Sequence, residues 1–273
     1  MRASAPAKIN LGLVVGPLRD DGRHEFLSVL QRVGIADRID VDRAPGSALT
    51  VAGFERDTLV RGALERLAER TGTEPCWRVR IEKRLPVAAG LGGGSSDAAT
   101  ALRLANGQLP QPLETDALHE LAATLGADVP FFLRDGPQLA SGDGTALAPV
   151  DLPQDFWIVL ALPHDVTKES TGAVYAAFDA RDGAGGWEER AAALRATVAG
   201  ARRPRDLATL PPNDLARSPL SDEVRALGAF HADVSGAGTT VYGLFHHRAT
   251  AEAARRALRT RARTWLTAPA WYG

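Results

Sequence analysis

A glycine-rich segment that runs directly into a helix limits the folds open to this chain. Residues 86–97 read Pro-Val-Ala-Ala-Gly-Leu-Gly-Gly-Gly-Ser-Ser-Asp, and the glycines remove side chains where backbone N–H groups must approach a ligand closely. The alanine- and leucine-rich segment 95–106 follows and predicts a helix. We expect Ser95 or Ser96 to cap this helix and Asp97 to lie in its first turn. A glycine loop at a helix N-terminus is typical of phosphate binding.

The details of the motif exclude two common phosphate loops. No Gly-Lys-Ser/Thr follows the glycines, so the segment is not a Walker A loop. The dinucleotide fingerprint does not fit, because Ser95 stands at the position of its third glycine. A flexible linker is the alternative. It is disfavoured because a half-buried strand, predicted from the alternating Trp77, Val79 and Ile81, leads straight into the loop.

Composition and charge exclude several classes of protein. A net charge of −1 over 273 residues implies no broad attraction to nucleic acid or to an acidic membrane. No apolar run approaches the ~18 residues of a spanning helix, and Lys8 and Asn10 interrupt the first apolar run before it forms a signal peptide. The single cysteine, Cys76, excludes an internal disulfide and indicates a reducing compartment. We therefore expect a cytoplasmic protein without nucleic-acid or membrane partners.

Lysine is rare in this chain, since Lys8, Lys83 and Lys168 are the only lysines among 32 basic residues. Arginine evidently meets most needs for positive charge. A lysine kept within an apolar segment is therefore expected to serve through its compact ammonium group. This reasoning favours Lys8, whereas Lys83 is expected on the solvated face of a strand.

Hydrophobic periodicity predicts alternating strands and helices. Strands are predicted over 7–15, 24–34, 38–43, 77–81, 156–162 and 239–245, and helices over 58–72, 95–106, 113–125, 170–180, 187–198, 222–228 and 249–263. Residues 19–22 predict a turn, and residues 199–213, rich in arginine and proline, predict a surface connection. Asp128 is expected in an extended or turn conformation, close before a proline. We place a domain boundary near Val150, giving domains 1–150 and 151–273.

Motifs in a fixed order lead from these elements to a family. They are Pro6-Ala-Lys-Ile-Asn-Leu11, Asp21-Gly-Arg-His24, Gly90-Leu-Gly-Gly-Gly-Ser-Ser96, Leu125-Gly-Ala-Asp-Val-Pro130 and Ser235-Gly-Ala-Gly238. As a set, they resemble the GHMP kinase family, whose members phosphorylate small-molecule alcohols with ATP. The resemblance runs nearly end to end. Within the family, the chain is most similar to members that phosphorylate a cytidine diphosphate-linked methylerythritol in non-mevalonate isoprenoid biosynthesis.

The resemblance implies a fold and a nucleotide site. The fold is α/β (α+β) with two domains, an N-terminal domain like ribosomal protein S5 domain 2 and a ferredoxin-like C-terminal domain. We expect a monomer or weak homodimer acting on a small-molecule substrate. The resemblance further implies that ATP phosphates bind at Pro86, Val87, Ala88, Ala89, Gly90, Leu91, Gly92, Gly93, Gly94, Ser95 and Ser96.

By the same resemblance, Asp128 matches the catalytic base and Lys8 its partner. An alcohol is a poor nucleophile, and a carboxylate on its hydroxyl can take the proton during phosphoryl transfer. A neighbouring ammonium keeps that carboxylate ionised and stabilises charge on the transferred group. From the residues alone, a turn residue before a proline is an equal alternative for Asp128. Mg²⁺ is expected with ATP, and Ser96 is its ligand by similarity, with a helix cap as the alternative role.

Substrate recognition is implied by a second group of residues. His24 matches the histidine that reads cytosine in the related kinases, and Tyr175 matches one aromatic wall beside the base. The tyrosine that usually precedes this histidine is Arg23 here, although a guanidinium can itself stack on a base. A structural hydrogen bond is the alternative role for His24. Further expected substrate contacts are Asn10, Gly236 and Gly238.

Two other functions stay open at this point. The incomplete Asp-Gly-Tyr-His match supports a different GHMP kinase, of homoserine or mevalonate type. A catalytically inert nucleotide-binding module is disfavoured because both Lys8 and Asp128 are present. The remaining histidines show no metal-ligand spacing, and the basic helix predicted over 249–263 lacks the aromatic platform typical of RNA binding.

Overall fold

The computed structural model describes residues 1–44, 46, 48–166 and 169–271, so Lys168 lies outside the described residues. The strands are β1 (Arg2–Leu18), β2 (His24–Arg43), β3 (Thr50–Ala52), β4 (Trp77–Glu82), β5 (Gln138–Gly142), β6 (Ala146–Pro149), β7 (Trp157–Pro163), β8 (His231–Val234), β9 (Val241–Phe245) and β10 (Ala262–Thr267). The α-helices are α1 (Leu59–Thr71), α2 (Gly93–Asn106), α3 (Thr115–Ala123), α4 (Thr171–Ala180), α5 (Trp187–Gly200), α6 (Pro219–Ala226) and α7 (Arg248–Ala257). Short 3-10 helices span Pro130–Leu133, Pro204–Thr209 and Leu258–Thr260.

The first sheet runs in the order β3-β4-β2-β5-β6, and β1 pairs with β2. The turn predicted over 19–22 joins β1 to β2, where Gly22 donates its N–H to Arg19 O. The sequence predicted two strands over 24–43, and this was wrong, because β2 is continuous. Its pairing with β1 jumps from Val33 to Ala36, so a bulge lies where a break was expected. A bulge bends a strand without ending it.

The second sheet is antiparallel in the order β10-β7-β9-β8. Numbered along the chain, this is the order 4-1-3-2 of a ferredoxin-like βαββαβ unit. The prediction of a single basic helix over 249–263 was wrong, because α7 ends at Ala257 and residues 262–267 form β10. The segment Thr264-Trp265-Leu266-Thr267 is rich in residues that favour strands, and pairing with β7 outweighs the helical charge pattern.

Residues 199–213 are not the simple surface connection that their arginines and prolines predicted. Leu207 and Leu210 are buried in the apolar cluster between the two sheets, and Asn213 is buried beside β8. Burial of two leucines from an otherwise polar segment holds it against the domains.

The two sheets pack on each other through a shared apolar cluster. Ile9 and Leu11 of β1 meet Leu160 of β7 and Leu244 of β9 in that cluster. The buried Tyr242 hydroxyl donates to Leu11 O at 2.9 Å, which joins β9 to β1 across the interface. The two glycine-rich loops are thereby held facing one another. Within the described ranges, no α-helix has the length and apolar character needed to cross a membrane.

Candidate active site

A cleft of about 450 Å³ lies where the two glycine-rich loops meet. Its wall includes most of the residues expected in the site, namely Lys8, Asn10, Asp128, Tyr175, Gly236, Gly238 and residues 86–95. It also includes residues that sequence reasoning did not select, among them Phe26, Phe54, Leu59, Lys83 and Asp143. His24 and Ser96 are not part of the wall. The fold therefore brings together motifs separated by up to 230 residues in the chain.

Lys8 and Asp128 form an ion pair in this cleft. Lys8 Nζ lies 3.3 Å from Asp128 Oδ2, and the lysine side chain is 5% exposed against 36% for the aspartate. Asp128 lies in a turn after α3, as its position close before Pro130 predicted. A buried ammonium needs partners, and here it faces a carboxylate that solvent and ligands can reach. The pair thus places a carboxylate and an ammonium side by side at the cleft.

Asn10 fixes the direction of the Lys8 ammonium. Its Oδ1 accepts a hydrogen bond from Lys8 Nζ at 2.6 Å, and its Nδ2 donates to Ser28 Oγ at 2.7 Å. Ser28 Oγ in turn donates to Gly12 O at 2.7 Å. This chain of bonds orients the amide, so Asn10 supports Lys8 in addition to any contact with substrate. That substrate contact stays a prediction.

The glycine loop, residues 86–96, meets the requirements of a phosphate cradle. Helix α2 begins at Gly93 with Gly92 as its N-cap, so the predicted capping by Ser95 or Ser96 was wrong. Gly90 has φ +81°, and an added Cβ would lie 2.3 Å from Ser235 O. An added Cβ at Gly92, at φ +66°, would lie 3.0 Å from Lys8 Cγ. Glycine at both positions therefore lets the loop pack closely against Ser235 and Lys8. The first N–H groups of α2 have no acceptor within the helix, which suits an anion.

The second glycine loop, residues 235–238, closes the cleft from the C-terminal sheet. Ser235 Oγ donates to Gly90 O at 2.9 Å, and Thr240 N–H donates to Ala89 O at 3.3 Å. The Asn213 side chain donates to Gly236 O at 2.7 Å and holds the loop from behind. The two loops are thus bonded directly to each other.

Lys83 corrects an expectation from the sequence. It is not on a solvated face: its side chain is 15% exposed, and Nζ lies 2.5 Å from Asp37 Oδ2 and 2.9 Å from Asp97 Oδ2. Although burial opposes it, the two carboxylates raise the pKa of Lys83. Burial raises the pKa of Asp97 to about 7, and Asp37 adds to that effect while Lys83 opposes it. Asp97 therefore pairs with a lysine and does not serve the helix dipole.

The aromatic residues lie in two layers. Tyr175 of α4 lines the cleft, and His24 stacks behind it with ring centroids 5.3 Å apart. His24 Nδ1 lies 2.8 Å from Gly16 O, and Nε2 lies 3.2 Å from Asp179 Oδ1. Both ring nitrogens thus have protein partners, which is the structural alternative raised for this histidine. Its role in reading a base stays a prediction.

Phe26 is an aromatic wall that sequence reasoning missed. It lies two residues after His24 on β2 and lines the cleft beside Asp143. The guanidinium of Arg23 does not point into an aromatic stack: its Nη1 bonds Asp143 Oδ2 at 2.6 Å, and its side chain is 64% exposed. The period of two along β2 is the signal that could have found Phe26, because His24 and Phe26 share one face.

Ser96 lies behind the loop. Its hydroxyl is fully buried and has no hydrogen-bond partner among the residues that the structure describes. Among the described residues as a whole, no three histidine, cysteine or acidic side chains come together as a metal site.

Family models match both parts of this arrangement. The GHMP kinases N terminal domain matches residues 58–136, and the GHMP kinases C terminal domain matches residues 219–264. Solved structures agree on the fold. The chain aligns with a crystal structure of 4-(cytidine 5'-diphospho)-2C-methyl-D-erythritol kinase at a TM-score of 0.79 and 33% identity, over 98% of this chain and 99% of that one. A crystal structure of a mevalonate kinase aligns at a TM-score of 0.75 and 12% identity, over 98% of this chain and 99% of that one. A likeness at this identity shows the fold alone.

Curated relatives carry the same name as the first of these structures. A 4-diphosphocytidyl-2-C-methyl-D-erythritol kinase of Anaeromyxobacter sp. (strain Fw109-5) is 40% identical over 95% of this chain and 86% of its own. The enzyme of that name from Gloeobacter violaceus is 37% identical over 93% of this chain and 88% of its own. Membership of this kinase family implies that ATP is the co-substrate. The chain belongs to the GHMP kinase family, among the 4-diphosphocytidyl-2-C-methyl-D-erythritol kinases.

Proposed function

We propose that this protein transfers the γ-phosphoryl group of ATP to the 2-hydroxyl of 4-diphosphocytidyl-2-C-methyl-D-erythritol. The observation that carries the proposal is the Lys8–Asp128 pair, 3.3 Å apart at the mouth of a phosphate cradle. The names of the relatives and of the 33% identical structure supply the substrate.

The chemistry assigned to the pair is proton removal and charge stabilisation. The 2-hydroxyl oxygen forms a bond to the γ-phosphorus while the bond from that phosphorus to the β–γ bridging oxygen breaks, and ADP leaves. The hydroxyl proton passes to the carboxylate of Asp128. The Lys8 ammonium, held by Asn10, lies beside this carboxylate and faces the charge that develops on the transferred group.

The glycine loop is assigned to the triphosphate. The backbone N–H groups of its glycines and the positive end of α2 bind anionic oxygens without intervening side chains. Mg²⁺ bound with ATP would offset phosphate charge, and Ser96 is the protein ligand that we assign to it by similarity. Its hydroxyl has no partner among the described residues, but it is buried behind the loop and would have to turn towards the cleft to reach the metal. We assign Phe54, Leu59 and Lys83, at the cleft wall beyond the loop, to the remainder of the nucleotide.

The cytidine end of the substrate is assigned to the aromatic side of the cleft. Tyr175 and Phe26 both pack against the small apolar cluster that contains Leu13 and Leu215. Two aromatic rings that pack on an apolar cluster can stack against a planar base. His24 then acts through Tyr175, against which it stacks, unless substrate displaces Asp179 from its Nε2.

The test is a substrate panel with purified protein and Mg²⁺-ATP. We expect ADP release only when 4-diphosphocytidyl-2-C-methyl-D-erythritol is present. Turnover of homoserine or mevalonate in its place would support a different kinase of the family. ATP binding without turnover of any of the three alcohols would support an inert nucleotide-binding module. Sedimentation of the same sample tests the further proposal of a monomer or weak homodimer.

A further inference from the structure

Arg32 stands directly opposite Lys8 in the antiparallel ladder of β1 and β2. Residues opposite each other in such a ladder project from the same face of the sheet. The Lys8 ammonium contacts Asp128 at the start of segment 128–134. The Arg32 guanidinium reaches the far end of that same segment. One cross-strand pair of cations therefore contacts both ends of the segment that carries the proposed base.

Arg32 contacts backbone carbonyls at the carboxyl end of the 3-10 helix Pro130–Leu133, and its Nη1 lies 3.7 Å from the exposed carboxylate of Asp135. Nη2 donates to Phe131 O at 3.2 Å and to Arg134 O, and the guanidinium carbon lies 5.4 Å from the centroid of the Phe131 ring. Phe131 O already accepts the Arg134 N–H at 3.1 Å, so Arg32 adds a second donor there and also a donor to Arg134 O, which lies past the end of the helix. Burial lowers the pKa of Arg32 to about 10, which leaves the side chain charged at neutral pH.

The last described residues close over Arg32. After β10 the chain returns to the first sheet, where Gly34 N–H donates to Ala268 O and Ala270 N–H donates to Arg32 O, both at 3.0 Å. Arg32 Nη1 donates to Trp271 O at 3.4 Å. The arginine is 2% exposed as a result. A buried guanidinium that is hydrogen-bonded to fixed backbone carbonyls is not easily displaced by water or by other side chains.

We propose that Arg32 is a positioning residue for Asp128. It clamps the 3-10 helix so that the turn before Pro130 holds its carboxylate against Lys8. Phe132 of the same helix lies against the glycine loop, since an added Cβ at Gly92 would be 3.1 Å from Phe132 Cζ. Loosening the helix therefore misaligns the base relative to the phosphate cradle. The inference rests on the proposed function, in which Asp128 takes the hydroxyl proton.

The test compares single-turnover phosphoryl transfer and ATP binding in Arg32→Met, Arg32→Lys and the control Arg134→Met. Arg134→Met keeps the accepting carbonyl and removes a partly exposed side chain from the same segment. We expect Arg32→Met to lower the transfer rate about 10- to 100-fold while the Kd for ATP stays within ~threefold, because small misplacements of a reacting group have effects of this size. Arg32→Lys should lose less, because it keeps the charge. The control should match wild type.

A double-mutant comparison separates positioning from general stability. In an Asp128→Asn background, Arg32→Met should reduce the rate little further, because the residue through which it acts is already disabled. A crystal structure of Arg32→Met should show Asp128 moved away from Lys8.

Three results would overturn the inference: a wild-type rate in Arg32→Met or Arg32→Lys, a full additional loss in the Asp128→Asn background, or an unmoved Asp128. If Arg32→Met fails to fold, the transfer rate of Arg32→Lys becomes the deciding measurement. An inactive wild-type enzyme would instead contradict the proposed function, and the crystal structure would still test the clamp.

Discussion

Lys8 and Lys83 show what a single residue's neighbours in sequence can and cannot reveal. Lys8 lies in an apolar strand beside Asn10, and its two near partners, Asn10 and Asp128, both lie in recognisable motifs. Lys83 has the same odd-numbered register as the buried Trp77, Val79 and Ile81, so the alternation itself pointed to the buried face, and the expectation of a solvated face misread it. What the local pattern could not show is the long-range partner, since Asp37 is 46 residues away on β2 and belongs to no motif.

Arg23 is the residue at which this chain departs from the usual pattern. Its ion pair with Asp143 is exposed, and exposed pairs contribute only about 0–1 kcal/mol. We expect Arg23→Tyr to keep or improve the affinity for the cytidylyl substrate, because a ring adds stacking area next to Phe26 and Tyr175. Calorimetric Kd measurements on Arg23→Tyr check this. Arg261→Tyr, which breaks a similarly exposed pair with Glu223, is the control. A large loss of affinity in Arg23→Tyr alone would show that the guanidinium makes a necessary contact.

At the scale of elements, local signals predicted the elements on one side of the cleft, whereas β5, β6 and β8 were not predicted. The strand leading to the glycine loop, the loop itself and α2 follow from composition and alternation. At the start of α1 the carboxylate of Asp57 accepts hydrogen bonds from Val60 N–H and Arg61 N–H, although the N-cap is Thr58. The bulge in β2 and the edge strand β10 were missed because both depend on a pairing partner. The bulge leaves no local pattern of its own, and the strand-favouring residues of β10 were outweighed in the prediction by the basic pattern of the preceding helix.

The contact between the two glycine loops can be tested at Gly90. An added Cβ there meets Ser235 O at 2.3 Å on a backbone at φ +81°. We expect Gly90→Ala to weaken ATP binding by at least ~tenfold and to lower the free energy of unfolding by about 1–3 kcal/mol, because both the loop contact and the backbone are strained. ATP titration and chemical denaturation check these values.

Gly62→Ala is the matched control, since an added Cβ in α1 meets no atom within 4 Å. That variant should bind ATP as wild type does and gain up to ~1 kcal/mol of stability from helix propensity. Equal behaviour of the two alanine variants would contradict the assigned loop contact.

For the whole molecule, the buried link between the sheets predicts how stability depends on pH. His231 Nε2 lies 3.1 Å from the Tyr242 hydroxyl that bonds Leu11 O across the interface. Burial lowers the pKa of His231 to about 4, and Arg225 adds to the shift. The unfolded chain binds the proton near pH 6.5 and the folded chain near pH 4. Stability contributed by neutral His231 is therefore complete above pH 6.5 and is lost as the pH falls towards 4.

The size of that loss is about 3 kcal/mol, from 1.36 kcal/mol for each pKa unit. Urea unfolding between pH 4 and 7 measures it in wild type and in His231→Gln, which keeps a hydrogen-bonding side chain without titrating. The decline should be smaller in His231→Gln by this amount. The exposed His247 provides the control, as His247→Gln should leave the decline unchanged. An undiminished slope in His231→Gln would assign the acid sensitivity elsewhere.

The proposed reaction depends above all on the carboxylate of Asp128 acting beside Lys8, and single-turnover phosphoryl transfer by Asp128→Asn tests this most directly. ATP should bind with a Kd within ~threefold of wild type, while the transfer rate should fall by about 10²- to 10⁴-fold, the usual contribution of a general base. Asp116→Asn, at a carboxylate that is 93% exposed, should leave both values unchanged. An unaltered rate in Asp128→Asn would contradict the proposed chemistry.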